Sequence, residues 1–182
     1  MHCLVVGGAG ILRPAALALL REGHAVTATA RTQASLDSLG RAAEGCPGEA
    51  YGIAGDYDRP GALALALASA VAARGAFDLA LVYAPGHAPL ARAALAEHPP
   101  AIMVDILTSG HGAPGVGEGD RRRAARGPER SVRLLLGWVA DPCSTRWHTP
   151  EEVSAAALSA SRAPDGSELV LGALRPWRDR PA

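Results

Sequence analysis

Apolar and polar positions alternate along the chain in two rhythms. Short apolar runs at His2–Val6, His24–Ala30, Ala50–Ala54, Phe77–Tyr83, Ala101–Leu107, Val132–Val139 and Glu168–Leu171 predict seven strands. Helical stretches separate them: from the turn at Gly7-Gly8-Ala9-Gly10 to Glu22, then Gln33–Glu44, Pro60 to about Arg74, Pro89–His98, and a last one ending near Ser161. Gly23 stops the first helix, and Pro99-Pro100 closes the fourth. The last helix has the clearest start. Thr149-Pro150-Glu151-Glu152 places a capping Thr, a Pro in the first turn and a Glu three residues after the cap, which is a capping box.

Strands that alternate with helices of this length predict an α/β fold. The expected form is a doubly wound, mostly parallel sheet of about seven strands in three αβα layers, with residues 1–182 forming a single domain. The rhythm fails only across Gly110–Arg130, a Gly- and Arg-rich stretch. No internal repeat or linker interrupts the chain.

Composition narrows the chemistry. Among 182 residues there are 39 Ala, 21 Gly and 18 Arg, but no Lys and no Asn. That excludes a Schiff-base lysine and a phosphate loop of the Walker type, which needs one. Net charge is zero and aromatic residues make up 4%, so neither nucleic acid nor a membrane surface is an expected partner. No apolar run reaches the length of a membrane span, and no leader pattern precedes the first strand, so a cytoplasmic protein is expected. Cys3, Cys46 and Cys143 are widely spaced and read as free thiols. His2, His24 and His98 lack the spacing of metal ligands, and no metal site is expected.

The turn Val5-Val6-Gly7-Gly8-Ala9-Gly10-Ile11-Leu12 ends the first strand and opens the first helix. Glycines there let the backbone turn tightly and approach a pyrophosphate, while the helix start offers free N–H groups. This is the Rossmann-like arrangement, with Gly7, Gly10, Ile11 and Leu12 as candidate dinucleotide contacts; a plain tight turn is the other reading. Arg13 stands where a third glycine is expected. Either the helix stands off the strand, or Arg13 reaches a phosphate, or it is simply solvated. Strand two ends in Arg31-Thr32, with no acidic residue between Gly23 and Leu36. An acid there holds the adenosine ribose diol of NAD, whereas a guanidinium pairs with the 2′-phosphate of NADP. NADP(H) is therefore the preferred cofactor, with NAD(H) possible. Asp56 and Tyr57 follow strand three and either contact the adenine or form a turn before the next helix.

At this point the chain resembles the short-chain dehydrogenase/reductase family. Three segments carry the resemblance: the Val5–Leu12 turn; Ala54-Gly55-Asp56-Tyr57-Asp58; and Arg146-Trp147-His148-Thr149-Pro150-Glu151-Glu152-Val153 followed by Gly166-Ser167-Glu168-Leu169-Val170. The resemblance implies an NAD(P)-binding fold, oxidoreductase activity and a homodimer, and it implies cofactor contacts at Asp56, Tyr57 and Ala84. The family's Tyr-x-x-x-Lys pair and its Asn are missing. The tyrosines, Tyr51, Tyr57 and Tyr83, all precede strand five, and only 24 residues separate Leu107 from Val132. The chain resembles a truncated, atypical member that keeps the cofactor half.

Replacement acid groups are expected at the carboxyl ends of the central strands. Tyr83 and His87 after strand four and Ser109 after strand five are the candidate catalytic residues, with Thr108, His111 and His148 nearby. The alternative for each is a loop residue with satisfied hydrogen bonds. Trp147 is expected to pack beneath the last helix, and the run Arg121-Arg122-Arg123, with Arg126 and Arg130, to form a solvated helix face; the alternative is a role closing over an anionic substrate or the cofactor phosphates. The expected function is NADP(H)-dependent hydride transfer to a small carbonyl, imine or alkene. The alternative is a catalytically inactive dinucleotide-binding sensor or partner protein.

Overall fold

The computed structural model describes residues 1–55, 61–86, 88–115, 130–141 and 144–181. Its centre is a seven-stranded parallel sheet of β1 (His2–Val6), β2 (Ala25–Ala30), β3 (Glu49–Ala54), β4 (Leu79–Val82), β5 (Ile102–Leu107), β6 (Ser131–Leu136) and β9 (Glu168–Leu171), in the order β3-β2-β1-β4-β5-β6-β9. The order reverses between β1 and β4, the switch point at which such sheets open a crevice at their carboxyl ends. The doubly wound sheet predicted from the alternating pattern is therefore observed.

Helices α1 (Arg13–Arg21), α2 (Gln33–Ala42) and α5 (Pro150–Ser161) cover one face of the sheet, and α3 (Ala62–Arg74) and α4 (Ala88–Glu97) the other. β1 shows why both faces are apolar. Cys3 and Val5 enter the core beneath α1 and α5, while Leu4 and Val6 enter the core beneath α3 and α4, and all four are fully buried. The Ala-Leu alternation of α3 has the period of a strand. It folds as a helix because Ala and Leu are strong helix formers, and Leu63, Leu67 and Ala70 fall on one face. Leu65 is left outside, 72% exposed.

The sixth strand differs from expectation. Val132–Val139 does not continue as one strand: β6 stops at Leu136, and β7 (Val139–Asp141) turns back on β8 (Ser144–Arg146) as a small antiparallel hairpin. The reason lies at Gly137, where a Cβ would sit 2.2 Å from the Ala173 carbonyl oxygen. The segment after β9 packs directly onto the chain here, through mutual hydrogen bonds of Trp138 and Ala173 (3.0 and 2.8 Å). The capping box of α5 is present as predicted. Thr149 Oγ1 accepts from the Glu152 amide at 3.3 Å, and Glu152 Oε2 accepts from the Thr149 amide at 2.9 Å. Among the described residues no helix is long and apolar enough to cross a membrane.

Candidate functional site

The glycine turn lies at the switch point. Gly7 has φ +86°, a conformation that side chains other than hydrogen strain to adopt, and a Cβ there would lie 3.1 Å from the Tyr83 carbonyl oxygen. A Cβ at Gly8 would meet the Val5 carbonyl at 2.9 Å and the Ala28 methyl at 3.0 Å. Gly10 is different. Its φ is ordinary, and a Cβ would meet only the Gly7 carbonyl, at 3.6 Å. The turn is held from within by Gly10 N–H to Gly7 O (3.0 Å) and Arg13 N–H to Gly10 O (2.9 Å), and from outside by Gly7 N–H to Thr29 Oγ1 (3.2 Å). The buried Ser154 of α5 donates to the Ile11 carbonyl at 3.3 Å, so the last helix braces the first turn. The amides of Ala9 and Ile11 have no hydrogen-bond partner among the described residues.

These elements wall a cleft of about 670 Å³. Of the candidate cofactor contacts, Gly7, Gly10, Ile11, Arg31, Thr32 and Ala84 line it. Leu12 does not: its side chain is fully buried in the core, and its amide is bonded to Gly7 O at 3.4 Å. Arg31 is exposed at the cleft edge, and its guanidinium has no partner among the described residues. Thr32 caps α2, accepting from the Ser35 amide at 3.3 Å, so the cleft also meets a second helix start. Arg13 does not reach the cleft. Its two terminal nitrogens donate to Ser38 Oγ and Ser38 O, both at 3.0 Å, and tie α1 to α2. Asp56, Tyr57 and His87 lie outside the described residues, as does the run Arg121-Arg122-Arg123.

A second cavity, about 300 Å³, adjoins the cleft and shares Ile11 and Tyr83 with it. Thr108 and Ser109 enter from the end of β5, Leu136 and Gly137 from the end of β6, and Trp147, His148 and Val153 from the start of α5. The hydroxyls of Tyr83, Thr108 and Ser109 have no hydrogen-bond partner among the described residues, although Ser109 is only 3% exposed. Burial pushes the Tyr83 phenol above its ordinary range, so it stays protonated at neutral pH. Tyr83 and Ser109 are thus brought together as expected; His111 is not. It is exposed outside the lining, with Nδ1 3.4 Å from the Thr108 carbonyl. His148 lines the cavity, but Nε2 contacts the Leu171 carbonyl at 3.1 Å and Nδ1 faces Glu152 at 3.4 Å, so its ring pins β9 to the start of α5.

Beneath this shelf, β5 carries Asp105, 2% exposed. Arg92 of α4 donates to its Oδ2 through Nε at 2.9 Å and through a terminal nitrogen. Burial raises the Asp105 carboxyl and the Arg92 charge draws it back. Cys3 is inert, because burial pushes its thiol up to about 11. No cluster of metal-ligating side chains occurs among the described residues.

Two features of the second cavity escape sequence reasoning. Trp147 does not sink beneath α5; it is 38% exposed and lines the cavity. Arg180, from a tail that reads only as polar, returns to the cavity mouth, with its guanidinium carbon 5.0 Å from the Trp147 ring and 5.4 Å from the Trp177 ring. The faint signal was two tryptophans and an arginine in a chain poor in aromatics.

No family model matches the chain, and no curated protein matches it. Solved structures do. A short-chain dehydrogenase/reductase from Serratia marcescens BCRC 10948 is similar at TM-score 0.73 and 16% identity, over 94% of this chain and 96% of that one. A 3-ketoacyl-ACP reductase from Sinorhizobium meliloti 1021 is similar at TM-score 0.71 and 15% identity, over 94% and 97%. A serine dehydrogenase from Escherichia coli is similar at TM-score 0.65 and 18% identity, over 95% and 97%. The fold of this chain is that of the short-chain dehydrogenase/reductases, as the three sequence segments implied.

Proposed function

We propose that the chain is an NADP(H)-dependent oxidoreductase of the short-chain dehydrogenase/reductase type, acting on a small carbonyl, imine or alkene in the second cavity. The observation that carries this reading is the convergence of three unpartnered hydroxyls, Tyr83, Thr108 and Ser109, on a cavity that opens onto the cleft at Ile11 and Tyr83. Three hydroxyls that face one recess without a protein partner leave their hydrogen-bonding capacity open to a small molecule bound there.

The cleft fits a dinucleotide. Gly10 leaves room where a Cβ would meet almost nothing, and the Ala9 and Ile11 amides are free to hold a pyrophosphate beside the start of α1. Arg31, unpaired and beside the start of α2, favours a 2′-phosphate and hence NADP(H). Asp56 and Tyr57 remain proposed adenine contacts. When bound, the nicotinamide supplies or accepts the hydride.

The chain's own residues handle the proton. Tyr83 donates its phenolic proton to the carbonyl oxygen, the imine nitrogen or the second carbon of the alkene as the other atom of the double bond gains the hydride, and regains a proton from solvent afterwards. Ser109 and Thr108 orient the accepting atom by hydrogen bonding, and His87 is the reserve proton source. In this reading the protein is cytoplasmic.

The test is NADPH consumption with a panel of small aldehydes, ketones, imines and activated alkenes. Tyr83→Phe should lower turnover by about 10²-fold or more. Turnover unaffected by Tyr83→Phe would overturn the assignment of the acid. A second reading has one observation in its favour: with no Lys in the chain, nothing lowers the Tyr83 phenol, and burial raises it instead. NADPH binding without turnover on the panel would leave an inactive dinucleotide-binding sensor or partner protein.

A further inference from the structure

Among the described residues the second cavity has one fixed positive charge at its mouth and no carboxylate in its lining. Glu152, the nearest acid of the α5 start, is committed to Arg146 by two hydrogen bonds of 2.9 and 2.8 Å. The adjacent Asp179 contacts Arg178, at 3.6 Å. Arg180 has no carboxylate partner among the described residues. Its guanidinium is instead placed by two indoles, Trp147 and Trp177. Aromatic rings engage a guanidinium while leaving its N–H groups available for in-plane hydrogen bonds, and that fork matches the two oxygens of a carboxylate.

We propose that Arg180 is the specificity-determining residue for the substrate, and that the substrate is a small monocarboxylate bearing the reactive carbonyl on an apolar body. This rests on the reading of the second cavity as the substrate site. The apolar walls, Ile11, Leu136 and Val153, take the body. The volume suits a small molecule, at the lower end of ligand sites. A guanidinium fork also accepts a phosphate, so the small volume and the apolar walls, rather than the charge alone, favour a compact carboxylate. The reacting carbonyl then lies between the Arg180 fork and the hydroxyls of Tyr83, Thr108 and Ser109.

The experiment titrates the full chain, saturated with NADP+ so that no reduction occurs, with pyruvate, 2-oxopentanoate and 4-oxopentanoate, each against its methyl ester and against 2-pentanone. At least one acid should bind about tenfold or more tightly than its own ester. Arg180→Gln should abolish that preference and Arg180→Lys restore part of it, with NADPH affinity and melting temperature unchanged in both. Esters that bind as well as acids, acids that all fail to bind, or a preference that survives Arg180→Gln would each overturn the proposal. The same titrations without nucleotide separate it from the cofactor reading. If NADPH does not bind but the acids still bind through Arg180, the carboxylate site stands and the dinucleotide assignment falls.

Discussion

The two recesses that meet at Ile11 and Tyr83 are built from different materials. The larger cleft is made of backbone: a glycine with positive φ, two free amides, and the starts of α1 and α2, gathered mainly from the first 35 residues and the end of β4. The smaller cavity is made of side chains drawn from residues 11, 83, 108–109, 136–137, 147–148, 153 and 180. A backbone site binds what all its ligands have in common, phosphates and ribose. A side-chain site carries what distinguishes one substrate from another. In the proposed reading the two recesses divide a general function from a particular one along the chain, and that division can be tested from either side.

The largest expected effect falls beneath both recesses. Arg92→Leu leaves the Asp105 carboxylate buried without its partner and should cost about 3–5 kcal/mol in denaturant unfolding. Loss below about 1 kcal/mol would mean that Asp105 takes up a proton or finds water instead. Next is Gly7→Ala. A methyl group at φ +86° and 3.1 Å from a carbonyl should cost about 2 kcal/mol and abolish nucleotide binding. Gly10→Ala sharpens the contrast. Stability should stay within about 0.5 kcal/mol, because nothing crowds the new methyl, while NADPH affinity falls about tenfold or more. Equal affinity for NADPH in Gly10→Ala would mean that the ligand does not approach the turn.

The smallest effect concerns the α5 start that frames the side-chain cavity. Hydrogen bonds from Arg146, and then from the Thr149 amide, hold the Glu152 carboxyl at about 2 against an ordinary 4.5. The folded state therefore binds this proton less readily than the unfolded state. Its stabilising contribution is full above pH 4.5 and fades as the pH falls from 4.5 toward 2. Glu152→Gln should flatten that limb of the melting-temperature profile, and an unchanged slope would show that another acid dominates it.

The backbone recess was the legible one. A glycine run between an apolar strand and a helix, with Arg31 one strand later, carries its geometry in local sequence, as does the Thr149–Glu152 capping box. Arg13 is harder: its position leaves a set-off helix, a phosphate contact and a solvated side chain all open, and its partner, Ser38, lies a helix away. The end of β6 is not legible in the sequence, because Leu136-Gly137-Trp138-Val139 is apolar throughout and only the return of the tail at Ala173 explains why the strand stops before Gly137. The side-chain recess was visible only in part. Tyr83 and Ser109 follow strands and could be placed by topology, whereas Arg180 and Trp147 meet through the path of a tail with no periodicity.

The account depends most on the cleft holding a dinucleotide through Arg31. Calorimetric titration with NADPH and then NADH, on the wild type and on Arg31→Ala, measures this directly. The prediction is binding in the micromolar range for NADPH, NADH about tenfold weaker or more, and loss of that difference in Arg31→Ala. Failure of both nucleotides to bind the wild type would contradict the account: the glycine turn would be only a turn, and the oxidoreductase reading would fall.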